Sequence, residues 1–208
     1  MSPKPQVLLG ISGSLRRDSF NTRLLARAGS QAPHGIRFET FDRLGELPHF
    51  SQDLEDNTPS PVTALRSALG SADVVMFASP EYNSAMPGVL KNALDWASRP
   101  TGHSVLADKP TAVLGASPGR YGAVRAQAEV RKVLGAIGAD VLDEEFPLAR
   151  AHEAFDSEGR LRDGDLDAAL AEFVATLVRH AGLHTMAPGT RRVADSAAYS
   201  RQCQHLAS

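Results

Sequence analysis

Three stretches of the chain gather residues able to hold a small ligand that is anionic at one end and flat at the other. In Gly10-Ile11-Ser12-Gly13-Ser14-Leu15-Arg16-Arg17-Asp18-Ser19-Phe20-Asn21, the short polar side chains of Ser12, Ser14, Ser19 and Asn21 flank the guanidinium of Arg16. A terminal phosphate carries close to two negative charges and three acceptor oxygens, which suits hydroxyls, free backbone N–H groups and a guanidinium. Gly10 and Gly13 do not complete the dinucleotide fingerprint, and no Gly-Lys-Ser/Thr follows for a P-loop. The second stretch, Ser79-Pro80-Glu81-Tyr82-Asn83, offers backbone groups and an amide to the polar edge of a heterocycle, with Tyr82 placed to pack beside it. The third, Ser117-Pro118-Gly119-Arg120-Tyr121-Gly122, is glycine-rich enough for a ligand to approach closely. Each has a plainer reading too: a serine-rich turn in which Asp18 or Ser19 caps a helix, an ordinary turn around Tyr82, and the start of a helix.

Strands and helices must deliver these loops to one place. Val7-Leu8-Leu9-Gly10-Ile11-Ser12, residues 73–79 and residues 111–117 are short, nearly unbroken apolar runs, the pattern of strands buried on both faces. Residues 36–41 alternate like a further strand, and Asp140-Val141-Leu142 reads as a weak final one. Phe20, Leu24, Leu25 and Ala28 recur at helical spacing, and further helices are expected over residues 62–70, 87–97, 123–137 and 161–181. Pro87 suits a first helical turn, whereas residues 45–61, with Pro48, Pro59 and Pro61, read as a long loop. Strands alternating with helices predict an α/β fold, a flavodoxin-like three-layer sandwich with a five-stranded parallel sheet and helices on both faces. In such sheets ligands bind beyond the carboxyl ends of the strands, where helix N-termini point N–H groups outward. All three loops fall there.

At 208 residues the chain is read as one domain over residues 1–182 followed by a C-terminal extension, residues 183–208, that lacks periodicity. A formal net charge of −2 argues against a nucleic-acid partner. The lone Cys203 excludes an internal disulfide and fits a reducing compartment. No apolar run reaches the roughly 20 residues a membrane helix needs, and no secretion signal is recognisable, so a soluble, cytoplasmic protein is expected.

A phosphate-holding loop and a loop suited to a polar ring edge together point to bound flavin mononucleotide (FMN). The residues resemble the NADPH-dependent FMN reductase family, which is flavodoxin-like. The resemblance rests on Gly13-Ser14-Leu15-Arg16 with Ser19-Phe20-Asn21, on Pro80-Glu81-Tyr82-Asn83 and on Pro87-Gly88-Val89-Leu90-Lys91-Asn92-Ala93-Leu94-Asp95-Trp96. Lys109-Pro110 before the strand ending at Ser117 completes it, and the whole spans roughly residues 6–142. Within that family the chain is most similar to soluble quinone and chromate reductases. The resemblance implies that Ser14, Arg16, Ser19 and Asn21 hold the FMN phosphate. It also implies that Pro80, Glu81, Tyr82 and Asn83 line the flavin ring, and that Ser117 and Gly119 close its other side. Arg120 departs from the pattern, and the segment beyond residue 181 finds no match.

With FMN bound, the chemistry belongs to the cofactor. NADPH or NADH would deliver hydride, a small acceptor such as a flavin or quinone would remove it, and alternate use of one site predicts ping-pong kinetics. No catalytic side chain is expected. Family members complete their shallow sites across a dimer or tetramer, so a homodimer or homotetramer is expected. His180 and His184 stand four apart but lack a third ligand, so no metal site is expected. Trp96 is expected to pack beneath the flavin loops or at a subunit contact, and Glu129, Arg131 and Lys132 to form a solvated helix face. The rival reading is a flavodoxin-type electron carrier that binds FMN without oxidising a nicotinamide; such carriers tend to be strongly acidic for docking, which a net charge of −2 disfavours.

Overall fold

The computed structural model describes residues 6–185. Five strands, β1 (Gln6–Ser12), β2 (Ile36–Phe41), β3 (Val74–Ala78), β4 (Pro110–Ala116) and β5 (Asp140–Leu148), form one parallel sheet in the order β2-β1-β3-β4-β5. This is the flavodoxin-like order. Because β3 and β4 are buried along their whole length, successive side chains feed two separate cores. Val75, Phe77 and Val113 face the core under α2 (Ser60–Ser71), α3 (Gly88–Ala97) and α4 (Val124–Ala136). Met76, Ala78, Ala112 and Leu114 face the other core, under α1 (Phe20–Ser30) and α6 (Gly164–Thr185). Among the described residues no helix is long and apolar enough to cross a membrane.

The structure refines several expectations. Helix α2 begins at Ser60, with Pro61 inside its first turn, so the helix starts before the apolar periodicity becomes visible. Pro87 is the N-cap of α3 rather than part of it. β5 runs for nine residues, its hydrogen bonding shifted by an irregularity opposite Thr111 and Val113, and its exposed Asp143-Glu144-Glu145 disguises it as loop. A short helix, α5 (Ala151–Ala154), precedes an antiparallel bridge between Phe155 and Leu161, so the last helix starts at Gly164 and runs to Thr185, past the boundary expected at residue 182. The extension beyond Thr185, with Cys203, lies outside the described residues.

The long β2–α2 connection is pinned onto α3. Trp96 Nε1 and Asn92 Nδ2 both donate to the Pro48 carbonyl, at 2.8 and 3.0 Å, while Phe50 N–H donates to Asn92 Oδ1 at 2.8 Å. Phe50 packs edge-on against the Trp96 ring with centroids 4.9 Å apart. Trp96 is therefore an anchor for this connection and sits beneath Pro48, not beneath the candidate ligand loops. Arg131 bridges Asp143 and Glu145 of β5, the latter at 2.8 Å, so it ties α4 to the edge strand.

Helix α1, which carries the first loop, is fastened to α6. Arg27 donates from Nε to Asp167 Oδ1 at 2.8 Å and from Nη2 to Oδ2 at 2.5 Å, and Gln31 Nε2 donates to the Asp167 carbonyl at 3.1 Å. The Arg27 hydrogen bonds hold the Asp167 carboxyl below its ordinary range. A depressed carboxylate stabilises the fold above its unfolded-state value, near 4, and loses that contribution as pH falls through the folded value. Urea unfolding of wild type and Asp167→Asn should therefore differ by on the order of 1 kcal/mol at neutral pH, with the difference shrinking toward zero below about pH 4.

Candidate functional site

At the carboxyl end of β1 the chain turns through Gly13 and enters α1 with Ser19 as N-cap. Ser19 Oγ accepts from the Asn21 and Thr22 N–H groups at 3.2 and 3.3 Å, so Ser19, not Asp18, is the cap. Ser12 Oγ accepts from Ser14 N–H at 3.4 Å and from Thr22 Oγ1 at 2.9 Å, and Ser14 Oγ accepts from Arg16 N–H at 3.3 Å. The Arg16 guanidinium lies 5.3 Å from the Phe20 ring centre and donates to the Asp18 carbonyl at 2.9 Å. Among the described residues, the N–H groups of Leu15, Arg17, Asp18 and Phe20 have no protein acceptor. Free donors, two serine hydroxyls and a guanidinium at the positive end of a helix fit a terminal phosphate.

Asn21 has a different task from the one expected. It is buried, its Nδ2 donates to the Ala116 carbonyl at 2.9 Å and its Oδ1 accepts from Ala116 N–H at 2.8 Å. Its carboxamide clips the start of α1 to the end of β4, one residue before Ser117. The first loop therefore meets the third through Asn21, and it meets the second through Gly13 N–H donating to the Ala78 carbonyl at 2.8 Å. Ser79 N–H donating to the Leu114 carbonyl at 2.9 Å closes the circuit between the second loop and β4.

The second loop ends in a tight turn. Tyr82 and Ala85 exchange backbone hydrogen bonds at 3.0 and 3.1 Å, with Asn83 and Ser84 both at positive φ, 53° and 65°. That is the geometry of a type I′ turn, at a strain cost of about 1–3 kcal/mol where the left-handed residue is not glycine. The turn leaves Tyr82 and Asn83 exposed, while Pro80 is buried beneath them. The Glu81 side chain is not aimed at a ring. Its Oε2 accepts from the Arg125 and Ala126 N–H groups at 3.0 and 3.3 Å, capping α4, and only its own N–H remains free among the described residues. The cause is that α4 begins without a cap of its own, behind a left-handed Ala123, so the Glu81 carboxylate is committed to the helix terminus. Glu129 Oε2 accepts from Met86 N–H at 2.6 Å, so Glu129 is not simply solvated. Loop two is thus held to α4 at both its ends.

In the third loop, Ser117 Oγ accepts from Gly119 N–H at 3.1 Å, and the backbone of both residues is tied to the β5–α5 connection. Gly122 has φ 58°, and a Cβ there would lie 2.6 Å from the Pro147 carbonyl carbon, so only glycine fits. The buried Gln127 donates to the Gly122 carbonyl at 2.9 Å and sets the loop's height. The contributions of Thr22, Arg125, Gln127 and Glu129 were missed because nothing in their local spacing distinguishes them from ordinary helical residues. His180 pairs with Asp140 Oδ2 at 2.7 Å, and among the described residues no cluster of potential metal ligands occurs. A cavity of about 460 Å³ at the opposite pole, lined by Asp73, Asp108 and Lys109, shares no residue with the three loops.

A flavodoxin-like sheet whose three carboxyl-end loops gather free N–H groups, hydroxyls and a guanidinium has the form of a flavin-binding α/β oxidoreductase. The chain belongs to the NADPH-dependent FMN reductase family, whose model matches residues 7–153. It is 43% identical over 158 residues to an NAD(P)H-dependent FMN reductase of Pseudomonas aeruginosa, covering 75% of this chain and 84% of that one. It is 39% identical over 165 residues to a 2-hydroxy-1,4-benzoquinone reductase of a Burkholderia species, covering 79% and 90%. The solved structure of the NAD(P)H:(acceptor) oxidoreductase FerB from Paracoccus denitrificans superimposes with a TM-score of 0.78 at 34% identity, over 86% of this chain and 98% of that chain. The expected family, fold and FMN-dependent chemistry are borne out.

Replacing Asn21 by Ala strands the Ala116 N–H and carbonyl, each at a cost of about 1–3 kcal/mol. Chemical unfolding of the FMN-free protein should show Asn21→Ala destabilised by roughly 2–4 kcal/mol. A loss confined to the FMN-loaded form would instead make Asn21 a phosphate ligand.

Proposed function

We propose that this FMN-dependent NAD(P)H oxidoreductase holds FMN across its three loops and carries hydride from a nicotinamide to a small acceptor of the flavin or quinone class by a ping-pong cycle. The free N–H groups of Leu15, Arg17, Asp18 and Phe20 around the Arg16 guanidinium carry this reading. Ser14, Arg16 and Ser19 would hold the phosphate, with Asn21 locking their loop in place. Pro80, Tyr82, Asn83 and the Glu81 N–H would line the flavin ring, and Ser117 and Gly119 would close its other side. FMN held there by Ser14, Arg16 and Ser19 and by the ring-lining residues would supply two-electron hydride chemistry. The chain's own part is to orient the ring, leave one face open and stabilise charge with backbone donors. No side chain is assigned as a general acid or base.

The acceptor class follows the relatives, whose names include quinone reductases. The exposed Leu15, Tyr82 and Tyr121 all belong to the three loops, which supports completion of the site by a second copy in a homodimer or homotetramer. A reducing, cytoplasmic setting fits the lone Cys203.

Anaerobic titration of the FMN-loaded protein with NADPH and NADH should abolish the flavin absorbance near one equivalent of the preferred nucleotide. A flavin band that neither nucleotide bleaches would replace the reductase with an electron carrier, and failure to take up FMN would overturn the whole reading. Arg16→Ala should weaken FMN retention by roughly 10- to 100-fold, the value of a charge-assisted hydrogen bond, and leave the thermal midpoint of the FMN-free protein unchanged. Wild-type FMN affinity in that variant would refute the phosphate assignment.

A further inference from the structure

We propose that Glu129 is a positioning residue for the flavin ring: acting through the Ala85–Met86 peptide, it contributes more to the binding of reduced FMN than of oxidised FMN. The inference rests on the FMN-dependent hydride transfer proposed above. Glu129 lies in the second turn of α4, half-buried, and belongs to none of the three loops.

The link is a single peptide unit. The Ala85 carbonyl accepts from Tyr82 N–H at 3.0 Å, which closes the tight turn, and the Met86 N–H of the same peptide donates to Glu129 Oε2 at 2.6 Å. A peptide is planar, so anchoring its N–H also fixes the direction of its carbonyl. A carboxylate on the N–H side polarises the unit and strengthens the bond on the carbonyl side. Tyr82 N–H in turn shares a planar unit with the Glu81 carbonyl. Glu129 therefore acts on Glu81, whose free N–H is proposed above to line the ring, through two planar units joined by one hydrogen bond.

No other contact does this. Met86 N–H stands between the turn and α3, whose N-cap is Pro87, and neither the turn nor the helix supplies it an acceptor. The Met86 side chain is only 6% exposed, which fixes where the residue sits but not how its peptide plane is rotated. Arg125 donates to Ser84 Oγ at 3.0 Å and Glu81 Oε2 caps α4, so the rest of the loop is secured separately. A ring that has taken up hydride carries more negative charge on its polar edge than an oxidised one. An N–H held in place stabilises that added charge, and one free to turn away forfeits most of the difference.

The test combines Met86 amide exchange, followed by NMR in the FMN-free protein, with dithionite titration of the FMN-loaded protein against a reference dye. In Glu129→Ala, Met86 exchange should speed up by roughly tenfold or more, and reduced FMN should bind about tenfold more weakly. Oxidised FMN should stay within about threefold of wild type, so the flavin potential falls. Flavin reduction at saturating nucleotide should slow by about the same factor as reduced FMN binding weakens. Glu129→Gln, which keeps an acceptor without the charge, should recover most of each loss. Glu129→Asp, one methylene shorter, should lower the potential as Glu129→Ala does, and reads the same effect should the alanine variant not fold. Wild-type exchange at Met86, an unchanged potential, or equal weakening of oxidised and reduced FMN would overturn the positioning role. So would a potential that rises, which is the sign expected from removing a nearby negative charge alone. Dithionite needs no nicotinamide, so a flavin that neither nucleotide bleaches would overturn the reductase function and leave this comparison intact.

Discussion

The site depends on one pair of hydrogen bonds, those between the Asn21 carboxamide and both backbone groups of Ala116. A parallel sheet brings the carboxyl ends of its strands together but does not set the relative height of the loops that leave them. Asn21 does this for the first and third loops by joining the opening turn of α1 to the last residue of β4. Both ends of the amide are used and the side chain is buried, so the link is directional and shielded from competing water. Gly13 to Ala78 and Ser79 to Leu114 extend the same network to the second loop. Three loops widely separated in sequence are thereby held as one surface, and their free N–H groups acquire fixed positions.

Carboxylates do comparable work on the other side of the surface. Glu81 caps α4 and Glu129 accepts from Met86, so the strained turn at Asn83 and Ser84 is anchored at both ends by α4. Those anchors add to the paired Tyr82–Ala85 hydrogen bonds and so offset the strain of the left-handed Ser84 beside Asn83. Placing the Glu81 side chain on a helix terminus also removes its negative charge from the ring-facing side. What remains directed at a ligand is backbone N–H, hydroxyl, amide and guanidinium, a donor-rich set suited to an anionic, electron-accepting cofactor.

Much of this was legible in the sequence. Buried strands announce themselves as apolar runs, helices as 3.6-residue periodicity, and the β1 and β4 assignments came within a residue of the observed bounds for that reason. β5 was cut to three residues because an edge strand carries charge where a central strand carries valine or leucine. At the site, Ser19 as cap and Arg16 beside free N–H groups followed from residue type. The Asn21–Ala116 bridge and the Glu81 cap did not. Each joins residues 44 or more apart, and an asparagine or glutamate in a loop gives no local sign of which remote backbone it will satisfy. Trp96 was misplaced for the same reason, since its partner Pro48 lies in a connection with no periodic pattern.

The distribution of charge connects the fold to the candidate site. A net charge of −2 is nearly neutral, but the described ion pairs are unevenly arranged. Arg27 is matched by Asp167 on the α1–α6 side, and Arg131 by Asp143 and Glu145 at the edge strand, where they fasten secondary structure. At the carboxyl ends of the strands, Arg16 and Arg120 instead lie over Phe20 and Tyr121, held by aromatic rings rather than by carboxylates. A ring orients a guanidinium without cancelling its charge, so the field at this end stays positive while the side chains stay ordered. One such cation sits beside the free N–H groups of the first loop and the other on the third loop.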